Sequence, residues 1–385
     1  MIQFTPAINP NKLRMAYNND VLRFKSDNAF PSSYAEVTFE GVQGVTADVT
    51  IRLYPAPDGS FFINLKYYVS SLINTRNFDD NLNTELPDTF LYDYTTGSYL
   101  QKTVRVDVYI RGQFQMLVET TSFVLDWIAG VEQLGSYVEL PKDKIHLLSP
   151  LNKLDALNYH VKYWQGYPFD LSFYNPFDAL RFLNTTNIML AYFDSPSIVS
   201  RLFFSDGRTD ETLEDILPLV EGYNVIRFYG GVHVGPADKT VLLEKLPYTC
   251  GIYLKWLNKY GGYSYWLFEN TYSIDRSSKQ IGELSRDFDN IENTTGRAIQ
   301  IGKESQDTYR IVAELINEND RLIVEGIIDS PKIYMFTGQP FARAFYNDWI
   351  QVNLKSNSIR IKNSKQKLTN FTFDIELPER FTQTL

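Results

Sequence analysis

The chain has 385 residues, a formal net charge of −9, one cysteine and an aromatic share of 15% carried by 26 Tyr and 26 Phe. That length exceeds what one hydrophobic core usually serves, and the acidic balance repels phosphate backbones, so nucleic acid is not an expected partner. A lone cysteine cannot close an intramolecular disulfide, no run of about 18 apolar residues offers a membrane-spanning helix, and the first residues lack a basic stretch followed by an apolar one, so a soluble product of cytoplasmic synthesis is expected.

The first third alternates in twos. "AEVTFE" at 35–40, "ADVTIRLYP" at 47–55, "SFFINLKYY" at 60–68, "VRVDVYIRG" at 104–112 and "QMLVETTSFVLDW" at 115–127 read as half-buried antiparallel strands. "PAPDG" at 55–59 carries the Pro, Asp and Gly of a turn, and "NFDDNLNTELPD" at 77–88 reads as a long polar loop. Together these predict a β-sandwich-like domain over 1–145.

Prolines 141 and 150 in "ELPKDKIHLLSPLN" mark the first boundary. Beyond it, "YHVKYW", "PFDLSFY", "NIMLAYF", "IVSRLFF" and "YNVIRFYG" repeat the strand rhythm, with one short helix expected in "TDETLEDILPLV" at 209–220. This second β domain, 146–296, ends in the densest aromatic stretch of the chain, "CGIYLKWLNKYGGYSYWLFE" at 250–269. Two strands flank "NKYGG", where Gly261 or Gly262 supplies the positive φ of a hairpin loop.

From 297 the rhythm changes to a small α+β module ending at 385. "QDTYRIVAEL" reads as a strand, Asn317 as the N-cap of a helix starting near Glu318, Leu322, Ile323 and Ile327 as its buried face, and Ser330-Pro331 as its stop. "KIYMF", "WIQVNLKSNSIRI" and "LTNFTFDIELPE" supply further strands. The expected fold class is mainly β: two tandem antiparallel β-sandwich-like domains plus this C-terminal module.

Groups that could carry chemistry are sparse. His146, His160 and His233 fall in separate segments without metal-ligand spacing, and Cys250 sits at a strand start, which favours a small buried side chain over a nucleophile. Asp287, Asp289 and Glu292 in "DFDNIE" lack the glycine and distant glutamate of a calcium loop. No segment has the form G-x-S-x-G, G-x-x-x-x-G-K-[ST] or G-x-G-x-x-G between a strand and a helix. No catalytic residue, cofactor or metal ligand is therefore expected, although paired carboxylates for glycoside hydrolysis are defined in space and escape a sequence reading.

The hairpin admits two readings. Trp256, Tyr263, Tyr265 and Trp266, set about Gly261 and Gly262, either stabilise a two-stranded ribbon by cross-strand packing or present rigid aromatic area to a protein subunit or a sugar. The alternation favours a structural hairpin with one side toward another subunit.

"YTCGIYLKWLNKYGGYSYWLFE" resembles the hairpin signature of virion structural proteins of tailed phages and prophages of Bacteroidota. The order "TYRIVAEL", helix, "DSPKIYMF", "WIQVNL" and "KQKLTNFTFDIELPERFTQTL" is similar to the C-terminal module of the same proteins, so the resemblance covers about 245–385. It implies a non-enzymatic virion component, of the tail or baseplate, forming a symmetric homo-oligomer. Its implied partners are other copies of itself and other virion proteins, not nucleic acid or membrane. A receptor- or carbohydrate-binding module touching a host surface glycan, and more remotely a glycan hydrolase, are the alternatives.

Overall fold

The structure is a computed structural model. It describes the whole chain except residues 31, 42–48, 74–76, 81–90, 94–99, 134–139, 151–157, 195–198, 209–217, 232–234, 270–271, 286–290, 295, 356–358, 363–365 and 385. The helix expected within 209–220 falls largely outside the described residues, as do Asp287, Asp289 and His233.

The protein is mainly β, as its alternation predicts. Near the N-terminus, strands Ile2–Phe4, Val21–Ser26 and Phe61–Asn64 form a three-stranded sheet. It faces a five-stranded sheet ordered Leu13–Met15, Leu117–Ile128, Gln101–Arg111, Tyr34–Gly41 and Val49–Leu53. Phe4 joins the layers, with its ring 5.5 Å from those of both Phe24 and Phe123. In the turn at "PAPDG", Ala56 N–H donates to Ser60 O (2.8 Å), and Gly59 adopts φ +79°.

One element departs from its expected type. The strand beginning at Phe61 ends at Asn64, and Lys66–Ile73 is an α-helix. Asn64 Oδ1 accepts the Lys66 N–H (3.2 Å), and Val69 and Ile73, four apart, are fully buried. Tertiary burial of an i, i+4 pair overrides the strand propensity of the Tyr-Tyr-Val run.

Two further sheets follow. Four strands, His146–Leu147, Pro168–Tyr174, Val199–Asp206 and Leu91–Asp93, form one. The other is ordered Asn158–Trp164, Lys239–Leu246, Gly222–Gly230, Ala179–Asn184 and Met189–Asp194. Among the described residues two strand pairings are parallel, Leu13–Met15 with Asp126–Ile128 and Asn158–Trp164 with Thr240–Leu246, where the expectation was antiparallel throughout. The long stretches of chain between those partners allow it, because parallel pairing needs a crossover rather than a tight turn.

The last sheet has seven strands, in the order Tyr263–Glu269, Gly251–Leu257, Ile333–Phe336, Trp349–Leu354, Thr369–Glu376, Ala298–Ile316 and Tyr272–Ser285. The helix Glu318–Val324 starts where expected, with Asn317 Oδ1 accepting the Asp320 N–H at 3.0 Å. Ile323 and Ile327 are buried together with Val324, while Leu322 is only half-buried. The strand expected through 361 stops at Leu354.

Sheets run across both sequence-derived boundaries. Leu91–Asp93 pairs with Leu202–Ser200 of the second stretch, and Ile333–Met335 pairs with Leu254–Trp256 of the hairpin. Buried apolar side chains form one contiguous core from Ile2 to Ile375.

His146 lies in this core beside the first boundary, its ring 6.1 Å from that of Tyr174. Its Nε2 is 2.6 Å from Pro141 O and therefore donates to it, while Nδ1 is buried without a partner. Burial lowers its pKa to about 4 from the usual 6.5. A neutral buried histidine stabilises fully above about pH 6.5, and that contribution fades as pH falls toward 4, because the unfolded chain takes up the proton first. Between pH 7 and pH 5 the folding free energy should drop by about 2 kcal/mol on this account. Urea titrations at the two pH values should show the drop in the native protein and a smaller one in His146→Gln.

Candidate functional site

The hairpin of strands Gly251–Leu257 and Tyr263–Glu269 is in register from Gly251 opposite Glu269 to Leu257 opposite Tyr263. Five residues, Asn258 to Gly262, close it, and Asn258 organises them. Its Oδ1 accepts the N–H of Tyr260 (2.9 Å) and Gly262 (3.3 Å), and its Nδ2 donates to Leu148 O (2.8 Å) and Ser264 Oγ (3.2 Å). Gly261, not Gly262, carries the positive φ, +82°.

Each glycine is also required by a close approach. A Cβ on Gly261 would sit 2.7 Å from Ala129 O, and one on Gly262 would sit 2.1 Å from Leu148 O. Val131 N–H donates to Lys259 O (2.7 Å), so the loop is held against 129–131 on one side and Leu148 on the other. The hairpin tip thus joins the N-terminal sheets to the second stretch.

The aromatic side chains point inward. Trp256, Tyr263, Tyr265 and Trp266 are all buried, Trp256 completely. Trp266 meets Trp164 edge-on at 5.2 Å, and Lys162 Nζ lies 5.2 Å from the Trp266 ring while pairing with Asp320 at 2.7 Å. Tyr265 packs against Phe169 and Tyr253, at 5.4 and 6.0 Å between ring centres. Among the described residues, none of the four is exposed.

Beneath the hairpin lies a charged cluster that no motif announces. Arg201 donates through Nε to Asp170 Oδ1 (3.0 Å), through one terminal nitrogen to Asp170 Oδ2 (2.5 Å) and through the other to Asp80 Oδ1 (2.9 Å). Lys255 Nζ donates to Asp80 Oδ2 at 2.7 Å. Tyr265 O–H donates to Asp170 Oδ2, and the Asp80 N–H donates to Tyr334 Oη at 3.2 Å. Aromatic faces complete the surroundings: Lys255 Nζ lies 4.2 Å from the Trp349 ring, and the Arg201 guanidinium 4.7 Å from that of Tyr263.

Asp170, Arg201, Lys255 and Asp80 are respectively 0, 1, 4 and 7% exposed. Two cations face two anions, which is the condition for holding any of them away from water. Burial opposes ionisation of Asp80, but the charges of Arg201 and Lys255 outweigh it and hold this carboxyl far below its usual range. Burial pulls the Lys255 pKa down, against the opposing field of Asp80. The Tyr265 hydroxyl is pushed well above its ordinary pKa by burial and by the Asp170 charge.

Sequence reasoning placed Lys255 in a strand and Asp80 in a polar loop, with nothing to connect them. Only the unusual charges inside apolar runs, Lys255 in "GIYLKWL" and Arg201 in "IVSRLFF", were signals that a counter-charge must meet them inside.

Other sequence candidates are placed apart. Cys250 is exposed, contrary to expectation, because it precedes the strand, and its sulfur lies 3.2 Å from Tyr248 Oη. His160 is half-buried in another sheet from His146. Among the described residues no three His, Cys, Asp or Glu side chains come together as a metal site. A cavity of about 910 Å³ borders the hairpin loop, walled by apolar side chains such as Phe78, Leu257 and Ile328 and by charged ones such as Arg321, Glu325 and Lys332.

Fold and site together define a mainly-β, sandwich-like protein whose aromatic and charged groups turn inward at a central hairpin. No protein-family model matches the chain, and no curated protein does. Among solved structures, a tetra-tandem repeat in the extending region of a large adhesion protein matches at a TM-score of 0.21 and 10% identity, over 86% of this chain and 61% of that one. A likeness that distant carries no argument about fold or function.

Two predictions follow from the geometry. Asp80→Ala removes the carboxylate that bonds Lys255 and one terminal nitrogen of Arg201, and should cost about 3–5 kcal/mol in chemical denaturation. Asp80→Leu combined with Lys255→Met should be less damaging than Asp80→Ala alone; equal or greater damage would show that the pairing is not what holds the segment. Among the glycines, Gly59→Ala meets open space and should cost only its φ penalty, about 1–2 kcal/mol. Gly261→Ala carries the same penalty plus the clash with Ala129 O, so its melting temperature should fall clearly below that of the Gly59 variant.

Proposed function

We propose that this chain is a non-enzymatic structural protein of a tailed-phage virion, a component of the tail or baseplate that assembles with copies of itself and with other virion proteins. The observation that carries the reading is the direction of the aromatic hairpin. A receptor- or sugar-binding surface needs Trp and Tyr faces open to a ligand, whereas Trp256, Tyr263, Tyr265 and Trp266 are packed into the core. This favours the structural reading of the segment that carries the phage resemblance over the glycan-binding one.

The buried carboxylates add to this preference. Asp80 and Asp170 each accept from Arg201, and both are shielded from solvent, which suits a structural ion cluster better than a general acid and base flanking a sugar.

What the outer surface offers suits assembly. The strands Tyr272–Ser285 and Ala298–Ile316 extend past their neighbours as a long two-stranded arm, exposed along most of the first strand. Such an element adds reach without adding core. Mass spectrometry of gradient-purified particles, from a culture producing the phage that encodes this chain, should detect the protein at a copy number repeated from preparation to preparation. Gold-labelled antibody should place it on the tail. Its absence from intact particles would reject the proposal.

A further inference from the structure

The seven-stranded sheet has two edges, and they differ. Tyr263–Glu269 at one edge is buried along nearly all its length, whereas Tyr272–Ser285 at the other is exposed at almost every position. Among the described residues, no segment pairs with the outer side of Tyr272–Ser285. Its inner side is matched to Ala298–Ile311. Tyr272, Ile274, Ile281 and Leu284 remain 42 to 54% exposed.

A strand with one side open leaves alternate N–H and C=O groups directed into solvent, a template for another strand. The ladder is regular from Tyr272 to Gln280 and becomes irregular between Gln280 and Glu283. The irregularity confines any added strand to about the first nine residues, "YSIDRSSKQ".

We propose that the occupant of this edge is the same edge of a second copy, paired antiparallel about a two-fold axis at Ser277. This inference rests on the self-assembling role proposed above. The argument is one of register and charge. In an antiparallel pair both opposed residues direct their amides the same way, so a two-fold axis must fall on a residue, not between two. Placed at Arg276 it sets two guanidinium groups against each other. Placed at Lys279 it opposes two ammonium groups. At Ser278 it makes no ion pair.

At Ser277 two small hydroxyl side chains meet on the axis, and Asp275 of each copy stands opposite Lys279 of the other. Arg276 stands opposite Ser278, and Ile274 opposite Gln280. Lys279 then lies between Glu304, its neighbour within the chain, and Asp275 of the second copy. Arg276 keeps its bond to Asp307 at 2.6 Å, so that charge is already satisfied in the isolated chain. Opposite charges directly across strands stabilise a pairing and like charges disfavour it, so one register is selected from the four.

A single-edge contact is small among specific interfaces, and the dimer is expected to be weak and concentration-dependent in solution. Sedimentation velocity over a concentration series should show a monomer–dimer equilibrium. Hydrogen exchange should show alternate amides within 273–281 gaining protection as concentration rises, while the rest of the chain is unchanged. Lys279→Asp or Asp275→Lys alone should weaken association about tenfold or more, and the two together should restore most of it, since the charges are then exchanged but matched.

A chain that stays monomeric across the series, with 273–281 exchanging at the same rate throughout, overturns the inference. So does an oligomer indifferent to all three variants, which would leave the assembly reading standing and move the contact elsewhere. Single variants that weaken association without any restoration by the double variant would equally reject the register. Detection of the chain in purified particles decides the virion reading separately, whatever the fate of this edge.

Discussion

The pairing of Arg201 and Lys255 with Asp170 and Asp80 is the constraint on which the centre of this protein depends. Four formal charges lie almost out of contact with water, and none could remain there alone. Each draws a different part of the chain inward: Asp80 the segment after the first helix, Asp170 and Arg201 two neighbouring strands, and Lys255 the aromatic hairpin. Hydrophobic burial brings these elements together, but the charge pairing decides which residues must meet. An apolar core of similar volume could be equally stable, and a core missing one partner could not.

Around that cluster the aromatic side chains serve two purposes. Trp349, Tyr263 and Tyr334 place ring faces within 4.2 to 5.6 Å of the Lys255 ammonium, which offsets part of its lost hydration. Tyr265, Tyr253, Phe169, Trp164 and Trp266 fill the space between sheets in edge-on and offset contacts that suit the ring quadrupoles. The richness in aromatics that suggests a binding platform in the sequence is, at this hairpin, a means of making a charged interior tolerable. The exposed arm lies apart from this interior, and beside it the C-terminal residues Arg380 and Thr384 bridge to Ser305 and Gly302.

Local features were legible because local chemistry causes them. The turn at "PAPDG", the hairpin about Gly261 and the helix capped by Asn317 each depend on a few adjacent residues, whose hydrogen bonds or φ requirements are visible in the string. The helix Lys66–Ile73 was not legible. Its sequence suits a strand by propensity, and only the core under Val69 and Ile73 favours the helix. Cys250 likewise looked like a buried strand residue and is exposed, because the strand begins one residue later.

By itself the sequence determined the mainly-β class and the positions of most strands and turns. Alternation and turn chemistry both act within a few residues of their cause. It could not say that Asp80 answers both cations, that two strand pairs run parallel, or that the hairpin shares a sheet with Ile333–Phe336 and so crosses the division expected at 297. Those facts join residues 77 to 175 positions apart, and nothing local distinguishes the partner chosen from others of the same type. Only the tertiary structure decides them, because it alone fixes which surfaces are excluded from water together.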